Sequence, residues 1–222
     1  MDTQAAFFSV DNVFFEIWGY PLSWLEFIGT LTGLISVWYA SRNNILTWPI
    51  GLINVTAFFL LFYQVNLYSD MLLQIYFWGM SLYGWANWHQ QADKESIPIS
   101  RLSYEWRLTY LVILIAGTIC LGALMRNIHH LLPDLFQEKA AYPFPDAFTT
   151  VASVLATILL ARRKWESWVL WVVVDIVAVI LYSLKEIWFV AGEYVIFLGL
   201  ASFGGWSWAQ KLDRSYTKRE VI

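Results

Sequence analysis

Between Leu46 and Trp88 the chain carries two apolar runs, each long enough to cross a bilayer, split only by a short polar turn at residues 64–66. A hydrocarbon core of about 30 Å takes ~20 helical residues, and each run supplies that number. Asn54 sits near the middle of the first run, and Asp70 and Gln74 sit inside the second, among a dense set of Tyr and Trp. Polar groups at that depth are costly unless they face other helices or a wet cavity, so they mark a functional path. A ligand is expected here.

Composition agrees. Of 222 residues, 59% are hydrophobic and 14% charged, and the mean hydropathy is +0.52. A soluble domain carries about 25% charged residues, so the deficit is large. Fourteen Trp and twelve Tyr exceed what a packed core needs, and such rings also suit bilayer interfaces and ligand cages. A net charge of −3 offers nothing to nucleic acid. The single cysteine, Cys120, excludes an intrachain disulfide and a thiolate metal cluster, and reads as a small apolar filler. No Lys or Arg precedes Arg42, so no cleavable signal peptide is expected. The class is an all-α polytopic membrane protein.

In order, residues 1–23 form an N-terminal interfacial segment, with a short helix expected over Asn12–Gly19. Seven transmembrane spans are predicted at 24–41, 46–64, 67–88, 107–125, 146–161, 167–184 and 187–208. They group as a three-helix unit at 24–88, a linker with the fourth helix at 89–145, and a second three-helix unit at 146–208. His129 and His130 fall in the expected loop after the fourth span, and no third ligand at zinc spacing accompanies them. Residues 209–222 read as a charged cytoplasmic tail, frayed from Lys211 onward. The N-terminal segment and the turns after spans two, four and six hold three Lys or Arg; the other turns and the tail hold eleven. Positive charge stays in the cytoplasm, which puts the N-terminus outside and the C-terminus inside.

Shifted by about 120 residues, the chain matches itself. Gly29 and Gly33 fall on Thr149 and Ser153, Arg42 on Arg162, and Trp48 on Trp168. With one residue of slippage Asn54 meets Asp175, Tyr63 meets Tyr182, Gln74 meets Glu193 and Trp85 meets Trp206. Two three-helix units joined by one helix share orientation, the parallel-repeat transporter plan with its site between the repeats near the midplane.

Helical spacing then sorts the side chains. Asp70, Gln74, Phe77, Trp78, Ser81, Trp85 and Trp88 share one side of span three. Trp168, Trp171, Asp175 and Tyr182 share a stripe of span six, and Glu186, Phe189, Glu193, Phe197 and Gly204 one of span seven. Ordinary bundle packing accounts for such stripes too, with Trp85, Trp88 and Trp206 as interface anchors. Asn54 and Asp175 lie at the centres of their spans, where a carboxylate costs about 2.5–3.5 kcal/mol without a partner. These two point to function.

WPIGLIN (Trp48–Asn54), LFYQVNLYSDMLLQIYFWGMSLYGW (Leu61–Trp85) and WVLWVVVDIVAVILYSLKE (Trp168–Glu186) resemble the nicotinamide riboside transporter family, PnuC, over roughly Leu25–Trp208. The resemblance implies seven helices in a three-one-three fold similar to SWEET sugar transporters, assembled as a homotrimer in the bacterial inner membrane. It also implies facilitated uptake of nicotinamide riboside by alternating access, with no cofactor. Related branches carry thiamine or riboflavin, and a sugar carrier of the same fold is a further alternative.

Nicotinamide riboside is a flat pyridinium bearing a carboxamide and a ribose. Faces of Trp48, Trp78, Trp168 and Trp171 attract such a cation by roughly 0.5–2 kcal/mol each. Asn54 and Gln74 suit the carboxamide or the hydroxyls. Asp175 and Glu193 are expected to accept hydroxyl hydrogens and offset the positive ring, and Asp70 and Tyr182 complete the candidate set. No nucleoside-triphosphate loop of the form G-x-x-x-x-G-K-[ST] occurs, nor H-E-x-x-H or G-x-S-x-G, so neither an ATPase nor an enzyme is expected.

Overall fold

The computed structural model describes residues 8–17, 19–64, 68–90, 99–131, 142–184 and 188–220, and the backbone alone at 68–70, 189 and 214–220. The described residues form a two-stranded hairpin, β1 (Val13–Ile17) and β2 (Tyr20–Ser23), and seven helices. These are α1 (Trp24–Ser41), α2 (Thr47–Gln64), α3 (Tyr68–Gln90), α4 (Tyr104–Leu131), α5 (Pro143–Ala161), α6 (Glu166–Leu184) and α7 (Trp188–Glu220). Each helix overlaps one of the seven stretches expected from sequence, with α4 and α7 running past the expected ends. Among the described residues, α2, α4, α5 and α6 are long and apolar enough to cross a bilayer.

The expected N-terminal helix is instead the hairpin. Val13, Phe14, Phe15 and Ile17 favour extended chain, and Gly19 at φ 82° makes the reversal between the strands. The pairing slips between Val13 and Phe15. This bulge lets the neighbouring rings of Phe14 and Phe15 both reach Phe27 on α1, at 4.8 and 6.3 Å. Ser23 then caps α1 in a reciprocal box with Glu26, and Tyr20 donates its hydroxyl to the same carboxylate at 2.6 Å.

The chain divides into two compact units, residues 1–97 and 98–222. In the first, α2 packs against both α1 and α3. Ser36 donates its hydroxyl to the Thr47 carbonyl at 2.8 Å, and Thr47 returns its own to the Ser36 carbonyl at 2.9 Å. At the other end of α2, the Gln64 side chain clasps the N-terminal backbone, donating to the Phe8 carbonyl at 2.8 Å and accepting from the Val10 N–H at 3.1 Å.

In the second unit α5 packs on α4 and α6, and α6 packs on α7. Residues 99–102 lie on the α5–α6 turn through a parallel bridge between Ser100 and Lys164. Glu166 accepts from the Leu102 N–H at 3.1 Å and pairs with Arg107 at 3.0 Å. The outward faces are apolar, α4 above all, where Val112 is 63% exposed. Hydrocarbon suits such a surface. Cys120 lies on that exposed side of α4 and fills no core. His129 and His130 belong to the last turn of α4, not to a loop. The tail from Lys211 continues α7 as helix to Glu220 where fraying was expected.

Candidate functional site

The same turn joins α1 to α2 in the first unit and α5 to α6 in the second. Asn43 and Arg163 adopt left-handed backbone, φ 58° and 52°. The Asn43 N–H reaches the Ala40 carbonyl at 2.8 Å, and the Arg163 N–H reaches Leu160 at 2.9 Å. The next pair, Asn44 to Tyr39 and Lys164 to Leu159, measures 3.0 and 2.9 Å. Each bond recurs at an offset of 120 residues.

The offset holds beyond the turn. Trp48 is buried with its indole against Gly84, where a Cβ would overlap the ring. It meets Trp88 edge-on at 5.4 Å. Trp168 is buried against Gly204 in the same way and meets Trp208 edge-on at 5.6 Å. The Nε1–H of Trp48 and of Trp168 is buried without an acceptor among the described residues. Since Trp48, Gly84 and Trp88 match Trp168, Gly204 and Trp208 at one offset, no residue of slippage is needed. The position equivalent to Asp175 is thus Val55, and Asn54 corresponds to Val174. Trp88, expected as an interface anchor, is fully buried; Trp85 and Trp206 are exposed.

Asn54 is half-buried and ties α2 to α1, donating its amide to the Gly29 carbonyl at 2.8 Å. Asp175, at the centre of α6, is 3% exposed and has no hydrogen-bond partner among the described residues. Trp171 lies one turn before it, half-buried, and Tyr182 stacks on Tyr194 of α7 at 5.4 Å and 13°. Glu193 is half-buried on α7. Asp70 falls where only the backbone is described, and Glu186 lies outside the described residues.

Gln74 and Trp78 come together. They line a cleft of about 250 Å³ between α2 and α3, with Ile75, Val55, Thr56 and Phe59 as its other walls. The first unit therefore joins these two sequence candidates, while Trp48 and Asn54 serve its packing. The wall residues Val55 and Phe59 were missed because an apolar side chain carries no sequence mark of lining a cavity. Gly84 and Gly204 were legible in principle, through the repeated spacing to Trp88 and Trp208.

Helices with exposed apolar faces, four of them long and apolar enough to cross a bilayer among the described residues, are those of a multi-pass membrane protein. The chain belongs to the nicotinamide mononucleotide transporter family, whose model matches residues 23–210. It is similar to the nicotinamide riboside transporter PnuC of Escherichia coli K12, 31% identical over 225 residues, covering 91% of this chain and 93% of the relative. PnuC of Neisseria mucosa is 26% identical over 87% of this chain and 75% of its own. The riboflavin/roseoflavin transporter RibM of Streptomyces davaonensis is also 26% identical, over 87% of this chain and 88% of its own. In fold the chain resembles the crystal structure of the vitamin B3 transporter PnuC, with a TM-score of 0.67 at 24% identity, covering 86% of this chain and 83% of that one.

Proposed function

We propose that this chain carries nicotinamide riboside across the bacterial inner membrane by facilitated diffusion with alternating access, as a homotrimer of three-one-three subunits. The N-terminus is outside and the C-terminus cytoplasmic in this reading, as the positive charges of the turns favour. The observation that carries the substrate is Asp175. A carboxylate buried at mid-helix without a hydrogen-bond partner among the described residues suits a ligand that brings its own positive charge. The pyridinium ring does so, as does the thiazolium of thiamine, and riboflavin, an uncharged ring system, does not; the carboxamide, which thiamine lacks, is the feature that favours nicotinamide riboside over it. Gln74 and Trp78, side by side in the first-unit cleft, offer an amide and an aromatic face of the kind a carboxamide-bearing cation binds.

The family description names the mononucleotide, while the relatives PnuC are named for the riboside. No Lys or Arg occurs within α1, α2, α3, α5 or α6, so these helices offer no cation for a phosphate dianion. The reading is therefore nucleoside accepted and nucleotide rejected.

Thermal unfolding in detergent tests this, because only a bound ligand stabilises the fold. Nicotinamide riboside should raise Tm, and nicotinamide mononucleotide, riboflavin, thiamine and glucose should not. A shift with riboflavin or thiamine alone would replace the substrate. Equal shifts by riboside and mononucleotide would end the argument from missing cations.

A further inference from the structure

The first two helices of unit one are fastened along their whole length. Ser36 and Thr47 exchange hydrogen bonds at the α1–α2 turn, Asn54 holds Gly29 midway, and Gln64 clasps the N-terminal backbone at the far end. Val10 of that segment packs on Leu25, Ala57 and Leu61 of α1 and α2, closing the pair there.

The seam between α2 and α3 is built differently. At the end near the turn, the Trp48 indole lies on the bare backbone of Gly84 and against Trp88. Farther along, the same seam opens into the cleft lined by Phe59, Gln74 and Trp78. In unit two the corresponding end of the α6–α7 seam has the Trp168, Gly204 and Trp208 seat. There Trp165 adds a hydrogen bond from its indole N–H to the Gly205 carbonyl at 2.8 Å. Across the far part of this seam Tyr182 and Tyr194 stack at 5.4 Å. Tyr194 is the position equivalent to Gln74. One kind of seat thus stands at the end of a seam whose far half holds a cleft in one unit and a ring stack in the other.

We infer that each Trp–Gly seat is a fulcrum: α3 swings against the α1–α2 pair, and α7 against α6, opening or closing the far half of the seam while the seated end stays put. A flat ring on a helix backbone without a side chain allows rotation with little change in contact, whereas interlocked side chains switch between discrete packings. This inference rests on the carrier reading above.

The test is distance measurement between spin labels in lipid nanodiscs, on a Cys120→Ala background. One pair, Tyr63→Cys with Leu72→Cys, reports the far half of the α2–α3 seam. The other, Leu46→Cys with Tyr83→Cys, reports the seated end; all four positions are exposed. The pair Ile180→Cys with Ile196→Cys, also exposed, repeats the far-half measurement in unit two. Expected are two distances, or one broad distribution, for the far-half pairs, in proportions that nicotinamide riboside changes, and a single narrow distance for the seated pair with or without it. A seated distance as broad as the far-half one would overturn the inference, as would fixed, narrow far-half distances in every condition. Far-half pairs that span two distances yet ignore the riboside support the fulcrum and count against the substrate, so the two failures are separable.

Discussion

The side-chain amide of Asn54 donates to the main-chain carbonyl of Gly29 at 2.8 Å, which makes a mid-membrane polar residue part of the frame between two helices. Gly29 allows the close packing here by having no side chain, since the ring of Phe58 stands 3.0 Å from where a Cβ would be. An interhelical bond of this kind in a membrane is worth about 1 kcal/mol.

Asn54→Ala is therefore expected to lower the melting temperature of the unliganded protein by a few degrees. Asn54→Asp should lower it further, because a carboxylate would face the carbonyl. Thermal unfolding monitored by tryptophan fluorescence measures both. An unchanged melting temperature in Asn54→Ala would mean the bond contributes nothing.

Gly84→Ala and Gly204→Ala drive a methyl group into Trp48 and Trp168. Overpacking of this sort costs about 1–3 kcal/mol. Gly79, on the same helix as Gly84, has open space where its Cβ would be, so Gly79→Ala should be neutral or stabilising by up to about 1 kcal/mol through helix propensity. Denaturation of the three variants side by side checks the contrast, and equal behaviour of Gly79→Ala and Gly84→Ala would remove the seat from the account.

Glu166→Ala leaves the Leu102 N–H and Arg107 without their shared carboxylate. A loss of about 1–3 kcal/mol is expected for the strap over the α5–α6 turn. Trypsin should then cut faster at Arg101 and Arg107. Cleavage at the wild-type rate would show that the strap is held by Ser100 and Lys164 alone.

Asp175→Asn separates stability from binding. Replacing a buried carboxyl group that has no hydrogen-bond partner among the described residues should leave the unliganded protein as stable or more stable, while the thermal shift given by nicotinamide riboside shrinks or vanishes. A variant that melts lower and still shifts fully with riboside would assign Asp175 to packing.

Much of this was legible in the amino-acid sequence. All seven helices follow from apolar runs of bilayer length, and their bounds fall within a few residues except where α4 and α7 extend into polar chain. The repeat was visible, but Asn54 and Asp175 invited pairing because both are polar. The structure aligns the units on Trp48 and Trp168 and on Gly84 and Gly204, apolar contacts that a search for polar matches passes over. The hairpin was missed since Asn12–Gly19 has too few residues for a period to declare itself, and Gly19 decides the reversal by its backbone. The strap between Ser100 and Lys164 joins residues 64 apart in the chain, a pairing no local pattern encodes.

The central claim is that the chain passes nicotinamide riboside down its gradient. Uptake of labelled riboside into proteoliposomes, with an imposed proton gradient and without one, measures it directly. The account predicts saturable entry that stops at equal concentrations inside and outside in both conditions and falls to the protein-free rate in Asp175→Asn. Entry no faster than into empty liposomes, or accumulation above the external concentration under the proton gradient, would contradict it.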